Sequence, residues 1–183
     1  MDVSLHKKYD ETAKVAFNAT LDVQFSSDGS EPVSRADAKS WCRIDVTDDD
    51  TLIDTLITAA RQICEQYTNI SFVTRTVTAT LNNSCGHIFL PYGPVTSAVT
   101  STDRDGNAVA DVKIYGNVFK FIESPEVDYI KAVYSAGYTT LPPNLKTAVL
   151  SQVAWMYENR GDANVASQLS MGSKMILKPI RRV

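Results

Sequence analysis

The chain has 183 residues and a mass of 20.1 kDa, which at roughly 150 residues per domain makes one ordinary domain, or a small one carrying extensions. Hydrophobic residues are 44% and charged residues 21%, proportions that sustain a core and exclude disordered, collagen-like and low-complexity classes. Lys and Arg number 18 against 21 Asp and Glu, and the net charge of -3 removes the basic excess of a protein whose whole surface grips phosphate.

The first 33 residues read as an extension. Leu21, Val23 and Phe25 alternate with polar neighbours, the period of a strand, and the turn formers Ser26 to Pro32 mark a boundary after it. Ser34, with Asp37 three residues on, opens a short helix over about 34–43 that shows Ala38, Trp41 and Cys42 on one side. A second helix is predicted over about 48–68. Thr47 to Asp50 place a cap and several carboxylates at the positive end of its dipole. Leu52, Ile53, Leu56, Ile57, Ala60, Ile63, Cys64 and Tyr67 form its apolar stripe, with Asp54, Thr58, Arg61, Gln62 and Glu65 mostly on the other side.

A β-rich insert is predicted over about 71–136: Phe72 to Leu81, Ile88 to Pro91, Val95 to Thr102, Val112 to Tyr115, Val118 to Ile122 and Tyr129 to Tyr134. Asp105-Gly106 favours a tight hairpin between two of these strands. Pro142-Pro143 then stops the sheet and starts a long helix over about 143–160, striped by Leu145, Ala148, Val149, Gln152, Val153, Met156 and Tyr157. Residues 161–183 read as a tail without periodicity that builds no core. The fold class expected is α+β: a small antiparallel helical bundle with an inserted antiparallel β-rich module, an extended N-terminal segment and a C-terminal tail.

Chemistry is sparse. No apolar run reaches the roughly 18 residues that cross a bilayer and Met1 to Asp10 lacks a signal's apolar stretch, so a cytosolic chain without membrane contact is expected. Cys42, Cys64 and Cys85 are odd in number and lack a CxxC pair, which favours reduced, partly buried thiols over disulfides or zinc. His6 and His87 are the only imidazoles. Cys85 and His87 are spaced to share a strand face as a nucleophile pair, but no third orienting residue accompanies them and a chance pairing is the better reading. Asp45, Asp48, Asp49, Asp50 and Asp54 are the densest acidic patch; helix capping accounts for it better than a metal, since the loop glycine and distal glutamate of an EF-hand are missing. No glycine pattern cradles a nucleotide. Trp41, Trp155 and Tyr157 read as core or subunit contact. No catalytic residue, cofactor or metal ligand is therefore expected.

The order of segments resembles the head-tail connector (adaptor, head-completion) proteins of long-tailed bacteriophages. The resemblance rests on Ser34 to Asp45, Asp48 to Arg61 with Glu65 to Thr68, Leu90-Pro91-Tyr92-Gly93-Pro94-Val95, Val133 to Tyr138 with Leu141 to Lys146, and Met156 to Arg160. It spans about 33–160, the connector domain, and leaves 1–33 and 161–183 as extension and tail. It implies a structural virion protein of the neck, assembled in the host cytoplasm and not an enzyme. The implied assembly is a ring, commonly of 12 copies, between the portal protein and a tail-side neck or tail-terminator protein, enclosing a channel through which genomic DNA passes without sequence-specific binding. Another neck or tail-completion protein is the alternative, and a small hydrolase using Cys85 and His87 a more distant one. The tail's basic and apolar residues, Lys174, Met175, Ile176, Leu177, Lys178, Ile180, Arg181 and Arg182, are expected either to form a solvated end or to dock on a partner; within the connector reading the partner is the portal.

Overall fold

The computed structural model describes residues 20–83, 87–117, 119–123, 127–162, 164 and 168–182. Two compact units divide them: one takes the chain up to Ser27 with Arg75–Ala136, the other Asp28–Thr74 with the chain from Gly137 onward. The α+β expectation holds, with helices and antiparallel strand pairs both present.

The first unit holds two sheets. The four-stranded sheet has the order β1 (Thr20–Asp28), β2 (Arg75–Asn83), β7 (Val127–Ala136) and β4 (Thr100–Thr102). The three-stranded sheet has the order β3 (His87–Phe89), β6 (Phe121–Glu123) and β5 (Lys113–Tyr115). β2 and β7 pair antiparallel from Arg75 opposite Ala136 to Asn83 opposite Val127, with an irregularity between Leu81 and Asn83. The alternation of Thr with apolar residues explains the pairing: Val77, Ala79 and Leu81 turn inward against Ile130, Ala132 and Tyr134, while Thr76, Thr78 and Thr80 stay half-buried. Tyr134 is buried with its hydroxyl donating to the Pro91 carbonyl at 2.5 Å, and burial pushes the phenol's pKa up.

Two sequence expectations shift here. The N-terminal strand is no appendage: β1 joins the edge of the four-stranded sheet, where the Phe25 ring meets Tyr92 edge-on at 4.8 Å and the Arg75 guanidinium lies 4.1 Å over Phe25. It also runs through Ser26 and Ser27 to Asp28, so sheet pairing overrides local turn propensity and lengthens the strand. The long strand expected from Val95 shrinks to Thr100–Thr102, with Val95 making a single bridge to Ala136. Val118, Cys85, His6 and the rest of residues 1–19 lie outside the described residues.

The second unit is helical. α1 (Arg35–Cys42) carries the expected capping box: the Asp37 N–H donates to Ser34 Oγ at 3.1 Å and the Ser34 N–H to Asp37 Oδ2 at 3.3 Å. α2 (Asp50–Thr68) and α3 (Pro143–Glu158) pack on each other and on α1. The long stripe of α2 is buried at Ile53, Leu56, Ile57, Ala60 and Cys64, and that of α3 at Leu145, Ala148, Val149, Val153 and Met156. Arg61 and Glu65, expected on the outer side of α2, are buried instead because they neutralise each other at 2.7 Å.

The tail expectation fails more widely. Met171–Leu177 form a fourth helix, α4, packed on α3 and α2 and continued by a 3₁₀ turn at Lys178–Ile180. Leu177 and Ser173 are fully buried. The contact is largely polar, which hides it from hydrophobic periodicity: Ser173 Oγ donates to the Ala148 carbonyl at 2.8 Å and the Ser170 N–H to Gln152 Oε1 at 2.8 Å. Gln152 Nε2 in turn donates to the Gln168 carbonyl at 2.9 Å.

Candidate assembly surfaces

The acidic patch at the start of α2 is an ion-pair cluster. Arg35 reaches Asp54 through Nε at 2.8 Å and through Nη2, and Asp50 through Nη1 at 3.3 Å. Lys39 Nζ meets Asp50 Oδ1 at 2.6 Å. These cations hold the carboxyls of Asp54 and Asp50 below the ordinary range, Asp54 through its bond from Arg35 and Asp50 first through Lys39. Asp49 accepts from the Tyr157 hydroxyl at 2.6 Å, and this bond leads the causes that raise the Tyr157 phenol's pKa. No cap bond runs from the Asp49 side chain to the helix, so the carboxylates expected as caps instead tie α2 to α1 and α3. Among the described residues no cluster of three metal-ligating side chains occurs, and no helix is long and apolar enough to cross a membrane.

Cys64 is buried, and burial pushes its thiol up to about 12. The half-buried Cys42 is raised first by burial and then by the charge of Glu158. Cys85 lies outside the described residues, and His87 is placed only as a member of β3; no nucleophile pair is assembled from what is described.

Among the described residues, three groups of large apolar side chains beyond Phe25 are wholly or partly exposed. On the three-stranded sheet Phe89, Phe121 and Tyr115 share one register and form a row across it, with ring centroids 5.7 and 5.1 Å apart. At the end of α1, Trp41 is 48% exposed and Val46 56%. On α4, Met171 and Met175 are 71% and 72% exposed, one helical turn apart.

The residues expected to dock on the portal are separated by the fold. Leu177 is withdrawn from that list because it is buried against its own unit, and Ile176 and Ile180 are half-buried. Lys174 and Met175 project from α4, while Lys178, Arg181 and Arg182 follow, all exposed. The end is tethered: the Arg182 N–H donates to the Thr68 carbonyl at 2.9 Å, and the Arg181 guanidinium lies 5.1 Å over the Tyr67 ring.

The sequence profile of the head completion protein family matches residues 32–176. The chain belongs to that family. The match begins just before the α1 capping box and runs to the penultimate residue of α4, so this last helix is part of the family's domain. Solved structures similar to this head completion protein come from gene transfer agent (GTA) particles. A chain from the "Neck of empty GTA particle computed with C6 symmetry" has a TM-score of 0.70 at 21% identity, covering 89% of this chain and 96% of that one. One from the "Virion of native gene transfer agent (GTA) particle" has a TM-score of 0.70 at 20% identity, covering 88% and 95%. One from the "Neck of native GTA particle computed with C12 symmetry" has a TM-score of 0.62 at 21% identity, covering 87% and 96%. No curated protein matches the chain significantly.

The surfaces missed by sequence reading share a cause. Met171 carries no signal alone, and the aromatic row arises only when β3, β6 and β5 come into register. Phe89 and Phe121 were legible as strand residues, but the face they occupy depends on a partner strand.

Proposed function

We propose that this head completion protein is a structural component of the neck of a phage-like particle, forming a ring between portal and tail. Membership of the family over residues 32–176 carries the reading. Its fold is shared with two chains of GTA particle necks along 96% of their length, which supports the same location. A C12 neck among them supports 12 copies, and a ring of this kind joins unlike faces of successive subunits. The ring would leave a channel for genomic DNA, and the chain's net charge of -3 suits passage over retention, because each neutralised phosphate would strengthen binding. Ile180, Arg181 and Arg182, which follow α4, are the residues proposed to meet the portal, with a tail-side neck protein on the opposite end of the ring.

Light scattering of the purified protein, alone and mixed with portal, tests the reading. A ring, or a monomer that assembles only on portal, is expected. A compact monomer indifferent to portal overturns it and favours a tail-side completion role.

A further inference from the structure

Two exposed patches of the helical unit are complementary in both charge and apolarity. The first is the outward face of α4, where Met171, Lys174, Met175 and Lys178 recur at helical spacing and are all exposed, while Ser173 and Leu177 turn inward. Its neighbours along the chain are cationic: from Ala163 to Val183 the sequence has Lys174, Lys178, Arg181 and Arg182 and no Asp or Glu. The second lies at the end of α1. There the chain folds back, the Ile44 N–H donating to the Lys39 carbonyl at 2.9 Å and Lys39 Nζ to the Val46 carbonyl at 2.7 Å, which sets Val46 beside the helix that carries Trp41. Asp45 and Asp48 are exposed in this loop, exposed Glu158 acts on Cys42 by its charge, and Arg43 is the one cation among residues 41–49.

We propose that the α4 face of one copy docks on the Trp41–Val46 corner of the next, an inference that rests on the ring reading and names one of its contacts. Methionines fit the argument because unbranched thioether chains adapt to an irregular aromatic surface such as Trp41. The lysines meet Asp45 and Asp48 at the rim, where charge sets register and rejects the like-charged alternative. Both patches belong to one compact unit, so each copy presents a knob and its receptor on the same body, as a heterologous contact requires. α1 and α4 each pack on α2 and α3, which fixes both patches to one scaffold.

Charge exchange in the full chain tests this. Lys174→Glu with Lys178→Glu, and separately Asp45→Lys with Asp48→Lys, should each weaken self-association by roughly tenfold or more in sedimentation velocity, run on the chain alone or, where the wild type assembles only there, on the chain mixed with portal. All four changes together should restore it, and circular dichroism should show every variant folded, since the four side chains are exposed. Wild-type association should also weaken as salt rises. Reversal variants that assemble like wild type, or a quadruple variant without recovery, overturn the contact while leaving the ring intact. Loss of portal binding by Lys174→Glu with Lys178→Glu, with self-association unchanged, overturns it and assigns α4 to the portal. A wild-type chain absent from purified particles would instead remove the neck reading.

Discussion

Arg61 and Glu65 form an ion pair buried inside the helical unit, Nη1 to Oε2 at 2.7 Å with side-chain exposures of 2% and 3%. The pair is a junction. Arg61 also holds Glu31 through Nε at 2.9 Å and Nη2 at 3.1 Å, and Glu65 Oε1 accepts the Phe72 N–H at 2.6 Å. It thereby fixes the segment before α1 and the segment after α2 to the same helical turn. Removing one partner leaves a buried charge, so Arg61→Ala or Glu65→Ala should cost about 3 to 5 kcal/mol in denaturant unfolding. Replacing both, as Arg61→Met with Glu65→Leu, should cost less than the sum, because what remains is the orphaned Phe72 N–H, at roughly 1 to 3 kcal/mol, and the part-exposed Glu31 carboxylate left without Arg61. Additive losses would show that the pair is not coupled.

Gly137 ends β7 at φ +113, a backbone conformation that side chains rarely adopt. A β-carbon there would also overlap the Val73 carbonyl and lie 2.9 Å from Thr74 Cα, backbone atoms that cannot swing away. Gly106 shares a positive φ of 88 but has open space around it. Gly106→Ala should therefore lose only the conformational term, about 1 kcal/mol, and Gly137→Ala several times that, compared in one melting series. Equal losses would mean the Val73 contact relaxes at little cost.

How much of this was legible follows from what each signal depends on. The capping box at Ser34 and Asp37, the α2 stripe from Ile53 to Cys64 and the Thr-apolar alternation of β2 are local, and each was read with its boundary off by a few residues at most. Arg61 defeated the amphipathic rule because its burial is offset by Glu65 one turn on and Glu31 thirty residues back, a match no periodicity records. α4 was hidden for a related reason: its buried face is Ser170, Ser173 and Leu177, where hydrogen bonds to Ala148 and Gln152 replace a hydrophobic stripe. The acidic patch was read as caps, yet Asp49, Asp50 and Asp54 are engaged by Tyr157, Lys39 and Arg35 from other helices, while Asp45 and Asp48 stay exposed.

Those cross-helix pairs set a pH dependence. Asp50 and Asp54 have folded pKa values below the ordinary 3.8 because Lys39 and Arg35 hold the ionised forms, and Asp37 is lowered by Lys146 and Ser34. The unfolded chain then binds protons at higher pH than the folded one. Their stabilisation is complete above 3.8 and is lost as pH falls through the depressed values. Arg35→Ala should flatten the acid limb of melting temperature against pH by lowering stability slightly at neutrality, where the exposed pair contributes weakly, and leaving it unchanged in acid, where the carboxylates are already protonated. An acid limb as steep as in wild type would place its origin in other carboxylates.

The C-terminal residues can be separated into those that hold the fold and those free to bind. Cutting from Lys174 would remove Leu177, whose side chain is fully buried, and with it the last turn of α4 on α3. Loss of a buried leucine costs about 2 to 5 kcal/mol, so a chain truncated there should fail through its fold. A cut after Lys178 keeps Ser173 and Leu177 in place and loses the half-buried Ile180, the Arg182 bond to Thr68 and the Arg181 stacking on Tyr67. Exposed interactions of that kind are worth about 1 kcal/mol each or less. The shorter truncation should therefore melt close to wild type, by scanning calorimetry, while losing affinity for portal. Retained portal binding by this well-folded chain would clear Ile180, Arg181 and Arg182 of any docking role.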